Sequence, residues 1–197
     1  MGTKVSYPSL GGTTDGYLAV PDTAGAPGVI VLHEWWGLVP HITAIADRFA
    51  DAGFVALAPD LYRGESTGDR ETASRLKQEL PVDRAAADIR GAADFLAAHQ
   101  GVAGEIGAVG FSIGGSLALW APTLSERVTA GVGFYPSIAW SRLRPDWSGY
   151  AGKHAVIHCC EEDGTSAAAE VATAAEAIRA AGGTVKLYDY PGSRHSF

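Results

Sequence analysis

Gly110-Phe111-Ser112-Ile113-Gly114-Gly115 decides the reading of this chain. An apolar run, Ile106–Phe111, leads into it, and a helical run, Ser116–Leu124, leaves it. A serine flanked by glycines where a strand turns into a helix has the form of a nucleophile elbow. The cause is steric. The bend is too tight for bulky flanking side chains, and it lifts the serine hydroxyl above the sheet at the positive end of a helix. Random placement of 25 glycines among the serines of this chain gives about 0.2 matches to Gly-x-Ser-x-Gly, so the strand–turn–helix context carries the weight.

Working outward, the chain alternates. Short apolar runs rich in β-branched residues lie at Gly16–Val20, Gly28–His33, Phe54–Ala58, Thr129–Tyr135, His154–Cys160 and Thr184–Tyr190. Several are near-continuously apolar, as strands covered on both faces must be. Helical spacing falls between them. Ile42, Ile45, Ala46, Phe49 and Ala50 share one face and stop at Gly53, and Ile89, Ala92, Ala93 and Leu96 repeat the pattern. Asp69–Leu80 reads as a short helix, and Ser166 caps a helix over Ala167–Ala181 that Gly182-Gly183 ends. This predicts an α/β fold: a mostly parallel central sheet with helices on both faces and an antiparallel edge formed by the earliest strands. Arg63–Pro81 and Pro136–Lys153 read as surface loops able to roof a pocket.

Composition bounds the function. The 197 residues are 47% hydrophobic and 19% charged, which suits one globular domain over residues 1–197. The net charge of −7 comes with no basic stripe, so neither nucleic acid nor an anionic membrane surface is an expected partner. No apolar run approaches the ~18 residues of a membrane span, and Met1–Leu10 has no signal-peptide core. Cys159 and Cys160 are strand neighbours that point to opposite faces, which suits reduced thiols and a cytoplasmic setting. No set of His, Cys, Asp and Glu has metal-ligand spacing, and no lysine follows Gly115 as a phosphate cradle requires.

Ligands of such sheets sit at the carboxyl ends of the strands. Ser112 needs a base there, and His195 follows the last strand in Pro191-Gly192-Ser193-Arg194-His195. The other five histidines, His33 among them, read as structural or solvated. The imidazole needs an acceptor for its second nitrogen. Glu161-Glu162-Asp163-Gly164 follows the strand ending at Cys160, and Asp163 is favoured over Glu161 and Glu162. Ser112, Asp163, His195 is also the chain order in which hydrolases with this elbow supply their triad. His33-Glu34-Trp35-Trp36-Gly37 closes the first buried strand, and Glu34 reads either as a surface acid of this loop or as a carboxylate beside the nucleophile, partly desolvated by the two tryptophans. The amides of Trp35 and Ile113 are the expected oxyanion hole. The tryptophans serve equally as core anchors or pocket walls, and Asp60 reads as a brace for its loop.

These stretches resemble the dienelactone hydrolase family. Val29 through Leu38, with His33-Glu34-Trp35-Trp36-Gly37 inside it, is similar to one family signature. Ala46-Asp47-Arg48-Phe49-Ala50 and Val55 through Tyr62 are similar to the next, and Gly110–Gly115 and His195-Ser196-Phe197 complete the set. The resemblance implies an α/β-hydrolase fold and cofactor-free hydrolysis of an enol-lactone or small ester. Its implied site is Ser112 as nucleophile, Asp163 and His195 as partners, and Glu34 as the facing carboxylate. Well-known members carry cysteine where this chain has Ser112, and there the glutamate helps activate the thiol. Members also continue through a final helix and carry a basic residue after the histidine, so an end at Phe197 reads as a truncation. Arg70 is the candidate for a carboxylate-binding arginine, and Trp36 for a pocket wall. A broader carboxylesterase or thioesterase is the alternative, and a binding module without turnover the third reading.

Overall fold

Apolar on alternating or both sides, the predicted runs become the strands of one sheet in the computed structural model, which describes residues 1–137, 143–162 and 168–197. The strands are β1 (Thr3–Ser9), β2 (Gly12–Ala19), β3 (Ala26–Leu32), β4 (Val55–Pro59), β5 (Val102–Phe111), β6 (Val128–Phe134), β7 (His154–Glu162) and β8 (Thr184–Arg194). The helices are α1 (Pro40–Asp51), α2 (Arg70–Glu79), α3 (Val82–Ala98), α4 (Ile113–Leu124) and α5 (Ala168–Ala180). The order across the sheet is β1-β2-β4-β3-β5-β6-β7-β8. The pairs β1/β2 and β2/β4 are antiparallel, and the strands from β4 through β8 run parallel. No helix of the described residues is long and apolar enough to cross a membrane.

The chain leaves β3 toward β4 on one side and returns to β5 on the other. That reversal makes a topological switch point at the carboxyl ends of β3 and β5, where ligands of open α/β sheets bind. Residues alternate across the sheet, so each strand serves two cores. Val29, Val31, Ala56, Ala58 and Val109 pack under Ile42, Ile45, Ala46 and Ala50 of α1. Ile30, Leu32, Leu57, Ile106 and Ala108 face α3 and α4 on the other side. A third cluster, including Ile157, Leu119, Val171 and Ile178, seats α5.

Three details depart from the sequence reading. Thr3–Ser9, which carries no apolar run, forms β1 by pairing with β2. β8 continues to Arg194, four residues past Tyr190 and through Pro191 and Gly192. An outer strand tolerates a proline because one of its sides needs no donor. The segment read as a surface loop over Pro136–Lys153 is partly core: Leu143 and Tyr150 are buried, and the Tyr150 hydroxyl donates to the Leu119 carbonyl. α2 forms as expected, with the Asp69 carboxylate accepting from the Thr72 amide at 2.8 Å.

Candidate active site

The elbow is built from backbone contacts. A Cβ on Gly110 would lie 2.1 Å from the Gly114 carbonyl oxygen, and one on Gly114 would lie 2.4 Å from the carbonyls of Leu32 and His33. Only hydrogen fits at either place. Between them Ser112 takes φ 53° and ψ −116°, a strained conformation for a side chain with a Cβ. Its amide donates to the Phe134 carbonyl at 3.0 Å, so β6 holds the bend from the side. Ile113 is the first residue of α4, and its amide has no intrahelical carbonyl to meet.

Ser112 is 8% exposed, and its Oγ has two polar neighbours among the described residues. His195 Nε2 lies 2.9 Å away, and Ser137 Oγ lies 3.2 Å away on the loop after β6. The imidazole thus sits at proton-transfer distance from the hydroxyl. Its ring is held edge-on by Tyr135, with centroids 5.0 Å apart. β8 delivers His195 directly, since the strand ends at Arg194.

Of the three candidate acids, Glu161 and Glu162 are the last residues of β7, and Glu161 accepts from the Gly192 amide at 2.6 Å, which ties the end of β7 to the turn before His195. Asp163 lies outside the described residues, as does the proposed helix cap Ser166.

Glu34 stands at the carboxyl end of β3, and Ser196 Oγ donates to its Oε1 at 3.3 Å. Tyr135 lies close enough for the charge of the same carboxylate to act on its hydroxyl. Burial first, then the charge of Glu34, pushes the Tyr135 hydroxyl well above the ordinary phenol range, so it stays a donor. Tyr135 follows β6 with φ 35°, its amide tied to the His158 carbonyl at 2.8 Å. Sequence reasoning took Tyr135 as the end of a strand and passed over Ser137. The signal that points to both is position, since they leave the carboxyl edge of a central strand as Ser112 and Glu34 do.

His33 is structural, and it acts on the loop that carries Trp35. The imidazole is 1% exposed, with Nδ1 2.6 Å from the Glu34 carbonyl oxygen and Nε2 3.3 Å from the Leu61 amide. The amide can only donate, so Nε2 accepts and the proton sits on Nδ1. The Gly37 amide also donates to the Glu34 carbonyl, at 3.3 Å. Trp35 and Trp36 are partly buried and meet edge to face, and Trp35 packs against the core under α3 and α4. Arg70 is exposed in the first turn of α2. Asp60 braces its loop as expected, accepting from the amides of Tyr62 and Gly64 at 3.1 and 2.6 Å.

Residues 14–197 match the model of the "Dienelactone hydrolase family". The chain is 37% identical to "Protein usf" of Aquifex pyrophilus and 36% identical to "Putative carboxymethylenebutenolidase" of Aquifex aeolicus (strain VF5). Each alignment covers 68% of this chain and 62% of the relative, so the chain spans about three fifths of those proteins. The crystal structure titled "Putative Dienelactone Hydrolase" from Klebsiella pneumoniae subsp. pneumoniae MGH 78578 superposes with a TM-score of 0.87 at 26% identity, over all of this chain and 88% of that one.

Proposed function

The chain belongs to the dienelactone hydrolase family, and from that premise we propose that it hydrolyses a small ester or enol-lactone by acyl transfer through Ser112. The observation that carries the proposal is the 2.9 Å approach of His195 Nε2 to Ser112 Oγ at a strained elbow.

In the proposed reaction His195 takes the Ser112 proton as Oγ bonds to the substrate carbonyl carbon. The carbonyl electron pair moves onto oxygen, where the amides of Ile113 and Trp35 stabilise it. His195 then gives its proton to the leaving oxygen, which in a lactone stays tethered to the acyl group. A water, deprotonated by His195, releases the acid and restores Ser112. Asp163 is the proposed acceptor for the second imidazole nitrogen. We assign Trp36 to the pocket wall and Arg70 to a substrate carboxylate, and we expect no cofactor. The expected partner is a small molecule rather than nucleic acid or membrane, and the expected setting is the cytoplasm. The net charge of −7 supports the first of those readings, and the placing of Cys159 and Cys160 as strand neighbours on opposite faces supports the second.

Replacing Ser112 with Ala should lower hydrolysis of p-nitrophenyl acetate by several orders of magnitude, by analogy with other triads. A fluorophosphonate should label the native protein at Ser112 and leave Ser112→Ala unlabelled. Turnover retained in Ser112→Ala would sink the proposal. Faster turnover of a cyclic enol-lactone than of simple aryl esters would set the substrate class, and the reverse preference would favour a broad carboxylesterase.

A further inference from the structure

We infer that Ser137 is a second hydrogen-bond donor to the nucleophile itself, one that stabilises charge on Ser112 Oγ as it is expelled from the acyl-enzyme. This rests on the reading of Ser112 as nucleophile and His195 as base.

The protons available fix the direction of each contact. Ser112 Oγ carries one, and a base can remove it only if it lies along the 2.9 Å line to His195 Nε2. The 3.2 Å contact to Ser137 Oγ must then be made by the Ser137 proton, pointing at a lone pair of Ser112 Oγ. The geometry is fixed from several sides. Ser137 is 3% exposed, and its amide donates to the carbonyl of Ser112 at 3.1 Å. Its neighbour Pro136 lies against the first turn of α4, where a Cβ on Gly115 would meet the Pro136 Cα at 3.2 Å. A hydroxyl tied to the same residue through its backbone and its side chain has little freedom to turn away.

Charge tells when this donor matters. The resting Oγ is neutral. In deacylation, water has added to the acyl carbon, the carbon–Oγ bond breaks, and its electron pair goes to Oγ while His195 returns a proton. Before that proton arrives Oγ is alkoxide-like, and a buried donor to it strengthens as charge grows. The amides of Ile113 and Trp35 aim at the carbonyl oxygen and cannot do this. The Ser137 O–H bond stays intact throughout, so Ser137 neither attacks nor acts as base.

The test compares Ser137→Ala, Ser137→Cys and Ser137→Thr with the native protein. Deacylation is read as the return of activity after stoichiometric acylation with p-nitrophenyl acetate, alongside fluorophosphonate labelling of Ser112 and the melting temperature. Cysteine keeps the volume but donates weakly, and threonine keeps the hydroxyl. Loss of a donor to a charged atom predicts deacylation slower by about 10- to 100-fold in both Ser137→Ala and Ser137→Cys. Ser137→Thr should recover most of it, and all three should still be labelled at Ser112. Native deacylation in Ser137→Cys would mean that Ser137 only fills space and would overturn the inference, as would a Ser137→Thr variant as slow as Ser137→Ala. Absence of label on Ser112 in the native protein would instead remove the premise.

Discussion

The His33 imidazole grips the Glu34 carbonyl at 2.6 Å, and that contact aims an amide belonging to a third residue. In a trans peptide the carbonyl and the following N–H point in opposite directions. Holding the Glu34 oxygen therefore directs the Trp35 N–H, a proposed oxyanion donor. His33→Phe should lower kcat on p-nitrophenyl acetate roughly tenfold or more with KM little changed, since the lost interaction belongs to the transition state. His33→Gln, whose amide can donate to the carbonyl and accept from Leu61, should recover most of the rate. Steady-state kinetics of the two variants decide it.

The same burial makes His33 a source of acid sensitivity. Removal from water lowers its pKa from the ordinary 6.5, the Glu34 carbonyl and Asp60 opposing the shift only in part. Burial shifts half-buried His158 the same way. Below about pH 6.5 the unfolded chain binds protons that the folded protein refuses. Stability present above that pH is thus lost as the pH falls toward the folded-state values. The slope is at most about 1.4 kcal/mol per pH unit for each proton. Urea midpoints at pH 7.5 and 5.5 should differ more for the native protein than for His33→Gln, and equal differences would refute the assignment.

Glu34 and His195 should respond very differently to neutralisation. The Glu34 carboxylate accepts from the Ser196 hydroxyl and its charge acts on Tyr135, whereas His195 approaches Ser112 Oγ directly. His195→Ala should cost about a thousandfold or more in kcat/KM, and Glu34→Gln less than about tenfold. A collapse in Glu34→Gln of the same size as in His195→Ala, with Ser112 still labelled, would return Glu34 to the chemistry.

Stability outside the site depends on one buried charge. Asp88 on α3 is 0% exposed, and its Oδ1 meets Arg63 at 2.8 Å and the Ser9 hydroxyl. Arg63 also donates to Thr14, so this cluster ties the β1–β2 hairpin to α3. Arg63→Ala leaves a buried carboxylate without its cation, which typically costs about 3–5 kcal/mol. A drop of that size in urea unfolding is expected, with kcat/KM at 25 °C close to native.

The inner strands, α1 and the elbow were legible because each depends on residues close in sequence. Apolar runs specify β3 through β7, and Gly110 with Gly114 marks a bend that only glycine can make. Tyr135 and Ser137 were not legible for the opposite reason. They meet Glu34 and Ser112 only through the β5/β6 register, which pairs Phe111 with Phe134. The extension of β8 was hidden by Pro191 and Gly192, residues that end inner strands but not outer ones. β1 escaped notice because its pairing with β2, not its apolarity, makes it a strand.

Ser112 and His195, the proposed nucleophile and base, follow strands of unequal tenacity. β5 is hydrogen-bonded along both sides, while β8, which delivers His195, is bonded among the described residues to β7 alone and is mostly exposed. Outer, solvated strands fray at lower free energy than the centre of a sheet. Warming should therefore detach the imidazole while the bend that holds Ser112 is still intact. Heat inactivation would then set in, reversibly, several degrees before the far-ultraviolet circular dichroism signal is lost.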